Sequence, residues 1–372
     1  MTNRFRASRR IFIAQTIATI AATSVLPGCV GTPCRRGTLL SGFEDARGDQ
    51  YIGGLSLADG RVFGARIPVR AHGCALDPRD PQRAIFFARR PGTQAFVLDL
   101  ASQRARLAFE TTAGRHFAGH GVFSTDGTLL YTPEHDYERK RGVLGVRDAR
   151  DFRLVGEIET QGLDPHDIAW LPGHGRLLVA NGGILTHPRT FRRKLNIDTM
   201  DPSLCAIDAA SGECLEQWRL GDHQLSIRHL SVASDGTAAV GLQYEGARSP
   251  KPSVVALYRP QRGLTLLEAP SEALASMAGY VASVCVSDAH DLVAASCPYG
   301  KGIVCWTRQG VFRGVVPAAE AYGLSRLADG SVYVSQRDGL AFELDETRLR
   351  SQFVKVVASE AIRWDDHWVA TV

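Results

Sequence analysis

The chain lacks the marks of several large protein classes. The uncharged apolar run from Ile11 to Val25 is shorter than the roughly 20 residues a spanning helix needs, so no permanent membrane span is expected. Helical periodicity does not compete with the short apolar runs that fill the sequence. The formal net charge of +4 belongs entirely to Arg4, Arg6, Arg9 and Arg10 in a leader without acidic residues, so the remainder is neutral. A nucleic-acid partner therefore loses its electrostatic basis. There is no Cys-x-x-Cys-His for covalent haem attachment. Nor is there a nucleophile elbow, a Ser-His-Asp order or a pair of carboxylates at a defined spacing, so the common hydrolytic machineries are not written in the chain.

What is present is a globular composition, 44% apolar or aromatic and 22% charged, arranged as a repeat. Four histidines open four successive copies of one unit: His72-Gly73-Cys74-Ala75-Leu76-Asp77, His120-Gly121-Val122-Phe123-Ser124, His166-Asp167-Ile168-Ala169-Trp170 and His229-Leu230-Ser231-Val232-Ala233. Their separations are 48, 46 and 63 residues. Further units follow at Ala282 and at Gly323-Leu324-Ser325-Arg326, without the histidine. Short apolar runs at this period, separated by turns such as Asp126-Gly127, Asp235-Gly236 and Asp329-Gly330, predict a β-propeller in which each unit is one four-stranded blade.

The blade count follows from the ends. After the sixth unit only two runs remain, Ala361 to Trp364 and Trp368 to Val372, while Gln50 to Leu57 and Arg61 to Pro68 form a hairpin with no inner strands of its own. Joining the two halves predicts an all-β, seven-bladed β-propeller, its ring closed by N-terminal strands pairing with C-terminal strands in one blade, which leaves no sheet edge bare. The expected organisation is a leader over 1–28, a linker over 29–47 and one propeller domain over 48–372.

Ser8-Arg9-Arg10-Ile11-Phe12-Ile13 is a twin-arginine pattern, so export to the periplasm in folded form is expected. Leu26-Pro27-Gly28-Cys29 reads either as plain cleavage or as a lipoprotein box, in which case a lipid on Cys29 is the sole membrane attachment. Eight cysteines in an exported chain raise disulfides, with Cys205/Cys214 and Cys297/Cys305 flanking hairpin turns. Buried free thiols are the equal alternative.

In a propeller the first strand of each blade lines the central channel, and the loops between second and third strands share the face where that strand begins. Those loops carry Arg89-Arg90, Glu134-His135-Asp136, the long stretch 181–202 and Gln243-Tyr244-Glu245, whereas the opposite face has short Asp-Gly turns. Polar loops gathered on one face point to one functional surface. The stretch 181–202 accounts for the irregular spacing, being about 16 residues longer than the period requires, and is expected to fold over the channel mouth.

Neutral imidazole is the commonest ligand of iron, copper, zinc and nickel, so His72, His120, His166 and His229 are the candidate metal ligands, with iron or copper as the expected cofactor. Glu134, Asp136 and Asp167 are candidate further ligands or acceptors that fix the histidine tautomers. Arg90, Asn181, His187, Lys194, Asn196 and Gln243 complete the candidate ligand-binding set. The circular arrangement places His72 and His229 nearly across the channel, so one ion is expected to recruit two or three imidazoles, while a metal chelate or a small anionic ligand can reach all four.

Arg89-Arg90-Pro91-Gly92-Thr93, Tyr131-Thr132-Pro133-Glu134-His135-Asp136-Tyr137, Asp164-Pro165-His166-Asp167-Ile168, Asn181-Gly182-Gly183-Ile184, Pro202-Ser203-Leu204 and Gln224-Leu225-Ser226-Ile227-Arg228-His229-Leu230 resemble segments of an uncharacterised exported bacterial family, domain of unknown function 1513. The likeness runs over nearly all the chain beyond the leader. It implies a seven-bladed propeller of YVTN/WD-repeat-like type. Because members tend to be encoded beside imelysin-like iron-regulated proteins and a di-haem peroxidase-like protein, it also implies periplasmic iron handling with such proteins as partners. His135 stands where the family pattern has asparagine.

The expected function is thus a periplasmic binding module in iron or other metal acquisition, its ligand captured at the channel mouth. The alternative is a propeller enzyme of the lactonase or quinoprotein-dehydrogenase-like type, which calls for carboxylate and amide ligands that the histidine-rich lining does not supply.

Overall fold

The computed structural model describes residues 37–173 and 175–371. The twin-arginine pattern, Cys29 and Cys34 lie outside them. The described chain is a ring of seven antiparallel sheets. Among the described residues no helix is long and apolar enough to cross a membrane.

In blades one to six each sheet runs from an inner strand outward in chain order. Blade one is built by Ala71–Leu76, Arg83–Ala88, Gln94–Asp99 and Arg104–Glu110. In blade two the inner strand is split into Arg115–Phe117 and Val122–Phe123, and the next strands are Leu129–Asp136, Arg141–Asp148 and Leu154–Glu159. Blades three to six begin with Pro165–Leu171, Leu225–Val232, Ser283–Ser287 and Ala321–Arg326. The burial gradient matches this layout: second and third strands such as Leu292–Cys297 and Gly302–Trp306 are buried throughout, whereas the outermost strand Leu154–Glu159 is almost wholly exposed.

The ring closes as expected in principle but with a different division of strands. The N-terminal region supplies three strands of blade seven, Thr38–Asp45, Gln50–Ser56 and Val62–Ile67. The C-terminal region supplies one interrupted inner strand, Ile362–Trp364 and Val369–Ala370, both segments pairing with Thr38–Asp45. Sequence gave two strands to each half because the break at 365–368 looked like a turn. It is instead a bulge, and the supposed linker 29–47 contains Thr38–Asp45, the strand onto which the sealing C-terminal strand pairs.

The core is a series of layers between neighbouring sheets. Leu40, Ile52, Phe86 and Phe96 join blades seven and one, Phe87 and Phe117 join one and two, and Leu39, Tyr333, Trp364 and Trp368 join six and seven. Apolar burial of this kind contributes roughly 25 cal/mol per Å². The sealing strand thus brings both a sheet edge and two tryptophans.

No bridge links the six described cysteines, Cys74, Cys205, Cys214, Cys285, Cys297 and Cys305. Register explains it for one pair, since Cys297 faces Gly302 while Cys305 faces Ala294, whereas Cys205 and Cys214 lie beside each other as free thiols. Burial raises the thiols of Cys74, Cys285, Cys297 and Cys305, so they pack as small apolar groups.

Candidate metal centre

The inner strands share a local defect. Their pairing with the next strand slips between Ala71 and Cys74, between Pro165 and Asp167 and between Ile227 and His229. Blade two and blade seven go further, since their inner strands break at 118–121 and at 365–368. A bulge adds a residue and re-aims a side chain. Here each one turns an imidazole into the channel.

Five imidazoles meet there, the fifth being His367 from the break in blade seven. Ring centroids lie 5.0 Å apart for His72 and His120, 5.6 Å for His120 and His166, 5.0 Å for His166 and His229, 4.7 Å for His229 and His367, and 4.4 Å for His367 and His72. The channel narrows here to a layer of rings in edge-on and tilted contact, and four of the five side chains are buried. Close approach needs missing side chains. Gly119, at φ +115°, lies so near His72 that a β-carbon would fall 2.6 Å from its ring, and Gly73 abuts His120 at 2.9 Å.

The layer divides the channel into two chambers. The upper, of about 320 Å³ on the side of the long loops, is lined by His72, His166 and His229 together with Arg90, Lys194 and Gln243. The lower, of about 350 Å³, is lined by His120, His229 and His367 with Asp167. Of the expected ligand-binding residues, Arg90, Asp167, Lys194 and Gln243 therefore share the channel with the histidines.

Hydrogen bonds fix which nitrogens are free. His72 donates through Nδ1–H to Asp365 Oδ1 at 3.1 Å, which leaves its lone pair on Nε2. Asp365 is itself held by Arg70. His120 has Nδ1 3.4 Å from Asp167 Oδ1, and its Nε2 is buried without a hydrogen-bond partner. His229 Nδ1 is likewise buried and unpartnered. His166 differs: Arg228, a donor only, points Nη1 at its Nδ1 from 3.0 Å, so that lone pair is taken. His166 then carries its proton on Nε2.

Electrostatics keep four of the rings, those of His72, His166, His229 and His367, neutral. Burial, opposed by the bond to Asp365, pushes the His72 pKa down to about 3. Burial first, and then the neighbouring imidazoles, hold His166, His229 and His367 well below the ordinary histidine range, with Arg228 adding to this at His166 and His229. Asp365 is the reverse case. Burial pushes it up, but the His72 hydrogen bond and Arg70 outweigh this and keep it ionised.

The donor set fits a transition metal. The ligand nitrogens of His72, His120 and His166 lie within 4.8 Å of one another, as do those of His120, His229 and His367. His72 Nε2 and His367 Nε2 stand 3.2 Å apart. Two nitrogens bound at about 2.0–2.1 Å to one tetrahedral ion are separated by about 3.4 Å, so this pair is already spaced as ligands.

The family model described as protein of unknown function (DUF1513) matches residues 65–371. The chain belongs to this family. Among solved structures it is similar to a chain of Kuenenia stuttgartiensis hydrazine synthase, at 13% identity and a TM-score of 0.59, covering 90% of this chain and 99% of that one. It is also similar to a chain in a crystal structure of a mitotic checkpoint complex, at 12% identity and a TM-score of 0.54, covering 93% and 87%. At such identities the likeness shows the fold alone. No curated protein matches.

In this DUF1513 chain several expected site residues lie elsewhere. Glu134 is buried inside blade two against Arg147 Nη1 at 2.7 Å, and Asp136 pairs with Arg139 and Arg141 at the same sheet. They serve as counter-ions, not metal ligands. Asn181 donates to Thr160 O and Ser203 Oγ, tying blade three together. Asn196 braces the 181–202 loop by bonds to Leu185 N and Gly183 O, and His187 accepts from Arg189 N within that loop. All five are polar residues already engaged by the local backbone or a neighbouring charge, although Asn181 Oδ1 and Glu134 Oε2 are buried without a hydrogen-bond partner. Conversely, His367, Asp365, Asp164 and Arg228 were missed. One signal was available, because His367 lies 138 residues beyond His229, three periods of 46.

Proposed function

We propose that this DUF1513 propeller is a periplasmic metal-binding module that captures one transition-metal ion, iron or copper, on the imidazole layer. One observation carries the reading: five imidazoles packed ring to ring and shielded from water, with His120 Nε2 and His229 Nδ1 buried without partners. Leaving buried polar atoms unpaired costs about 1–3 kcal/mol each, and neutral rings held together in this way recover that cost when an ion takes their lone pairs.

His120, His229 and His367, whose ligand nitrogens lie within 4.8 Å of one another, are the primary ligands in this reading, with His72, 3.2 Å from His367, beside them. Asp365 holds the Nδ1 proton of His72 and so raises the basicity of the opposite nitrogen, while Asp167 Oδ1 lies 3.4 Å from His120 Nδ1. In the metal-free chain His72 Nε2 accepts from His367 Nε2–H, and His367 becomes a ligand by carrying its proton on Nδ1. His166, tied to Arg228, acts as a donor to whatever sits above the ion.

The cellular setting rests on the sequence. Ser8-Arg9-Arg10 supports export by the twin-arginine route, with a lipid on Cys29 as the possible tether. The resemblance noted above supports iron as the cargo and imelysin-like or di-haem peroxidase-like proteins as partners. The test is metal titration of tag-free, metal-stripped protein with ferrous iron under anaerobic conditions and separately with copper. One equivalent should bind, and the His72→Ala/His120→Ala variant should retain none. Equal uptake by both proteins overturns the reading.

A further inference from the structure

The chamber above the imidazoles has an unbalanced charge. Arg89, Arg90, Arg192, Lys194 and Arg228 line it, together with Tyr280 and one carboxylate, Asp366. Asp366 takes Arg89 at 2.9 Å. Behind the wall, Asp164 is shared by Arg90 at 2.8 Å and Arg228 at 3.3 Å, and Glu245 takes Lys194. Five cations therefore face three carboxylates. Asp365 does not change the balance, since Arg70 answers it.

Two of these cations are incompletely used. Arg228 is buried and its Nε has no hydrogen-bond partner. Arg192, which the 181–202 loop hangs over the chamber, has no carboxylate within ion-pairing distance among the described residues. Burial and the charges of Arg89, Arg90 and Arg228 push its pKa down to about 10, the reverse of what an ion pair does. Folding has thus gathered like charges around a cavity of about 320 Å³, and an isolated chain gains nothing from that.

We infer that the upper chamber is a binding site for a small multivalent oxyanion, either inorganic phosphate or a di- or tricarboxylate. Guanidinium groups match planar or tetrahedral oxyanions through paired N–H donors. Arg192 supplies a fork from the loop and Arg228 an unused Nε–H from the floor. His166, whose Nε2 carries the proton, lines the same cavity and can donate from below. The cavity suits an ion of that size and is too small for a polymer. This site does not depend on the metal, because its donors are present in the metal-free chain.

The test is calorimetric titration of metal-stripped protein with sodium phosphate and, separately, with sodium citrate, each at an ionic strength fixed with sodium chloride. Saturable binding of at least one anion at one equivalent is expected, and which arm saturates identifies the source. Arg192→Gln, a substitution on an exposed loop, should weaken that binding about tenfold or more, in line with loss of one charge-assisted contact. Arg193→Gln, its loop neighbour outside the chamber, should leave it unchanged. No saturable heat from either anion, or equal affinity in wild type and Arg192→Gln, overturns the inference. Repeating the titration on His120→Ala/His367→Ala, whose side chains line only the lower chamber, separates it from the metal reading, since that variant should still bind the anion.

Discussion

His72 and His367 are 295 residues apart in sequence, yet their Nε2 atoms lie 3.2 Å apart. One comes from the first complete blade and the other from the strand that seals the ring, so closure of the propeller and assembly of the candidate centre are one event. Replacing His367 by alanine should therefore lower metal affinity more than tenfold. It should leave the metal-free fold within about 1 kcal/mol of wild type, because the ring adds little apolar packing. Metal titration and urea unfolding of the two proteins check both parts.

Asp365 acts through His72. Its carboxylate accepts the Nδ1 proton and thereby directs the lone pair of the ring to the channel. Asp365→Asn should weaken metal binding about 10- to 100-fold, the range expected when a carboxylate behind a histidine ligand is lost. His72 remains in place, so the metal should still be recoverable at higher concentration. Unchanged affinity would mean that the pair is only a structural contact.

Glu134 makes the opposite case. It was a candidate ligand by sequence, but it neutralises Arg147 inside blade two. Glu134→Gln should cost about 3–5 kcal/mol, since it leaves a buried guanidinium without its counter-charge, and should not alter metal stoichiometry. Loss of metal without loss of stability would restore it to the site.

Acidification should unfold the metal-free protein through its histidines. The unfolded chain takes up protons near pH 6.5, whereas burial keeps His72 neutral down to about 3 and holds His166, His229 and His367 well below the ordinary value. Between those limits the unfolded state binds more protons. Stability is then full above about pH 7 and falls as pH drops through 6.5, by up to about 1.4 kcal/mol per pH unit for each such ring. Urea midpoints between pH 7.5 and 5 measure this, and a flat or rising profile on acidification would contradict the buried neutral layer.

The fold was readable in the sequence because the blade repeat is carried by apolar runs and Asp-Gly turns, which local chemistry specifies. The site was readable where it rides on that repeat, as with His72, His120, His166 and His229. His367 escaped because its strand is interrupted by Asp365 and Asp366 and has no following partner within its own unit. The acidic candidates failed for a related reason. Glu134 and Asp136 lie near the right loops, but arginines of the same hairpin, Arg147 for Glu134 and Arg139 and Arg141 for Asp136, decide where their charge is used. Bulges in the inner strands, which aim the imidazoles, leave no mark in a period-two pattern.

The most direct measurement is anomalous diffraction at the iron or copper absorption edge from crystals of protein loaded with that metal. A single peak among the imidazoles, about 2.0–2.3 Å from nitrogens of His120, His229 and His367, is the result predicted. A peak at other residues, or no peak within the histidine layer of a loaded crystal, would contradict it.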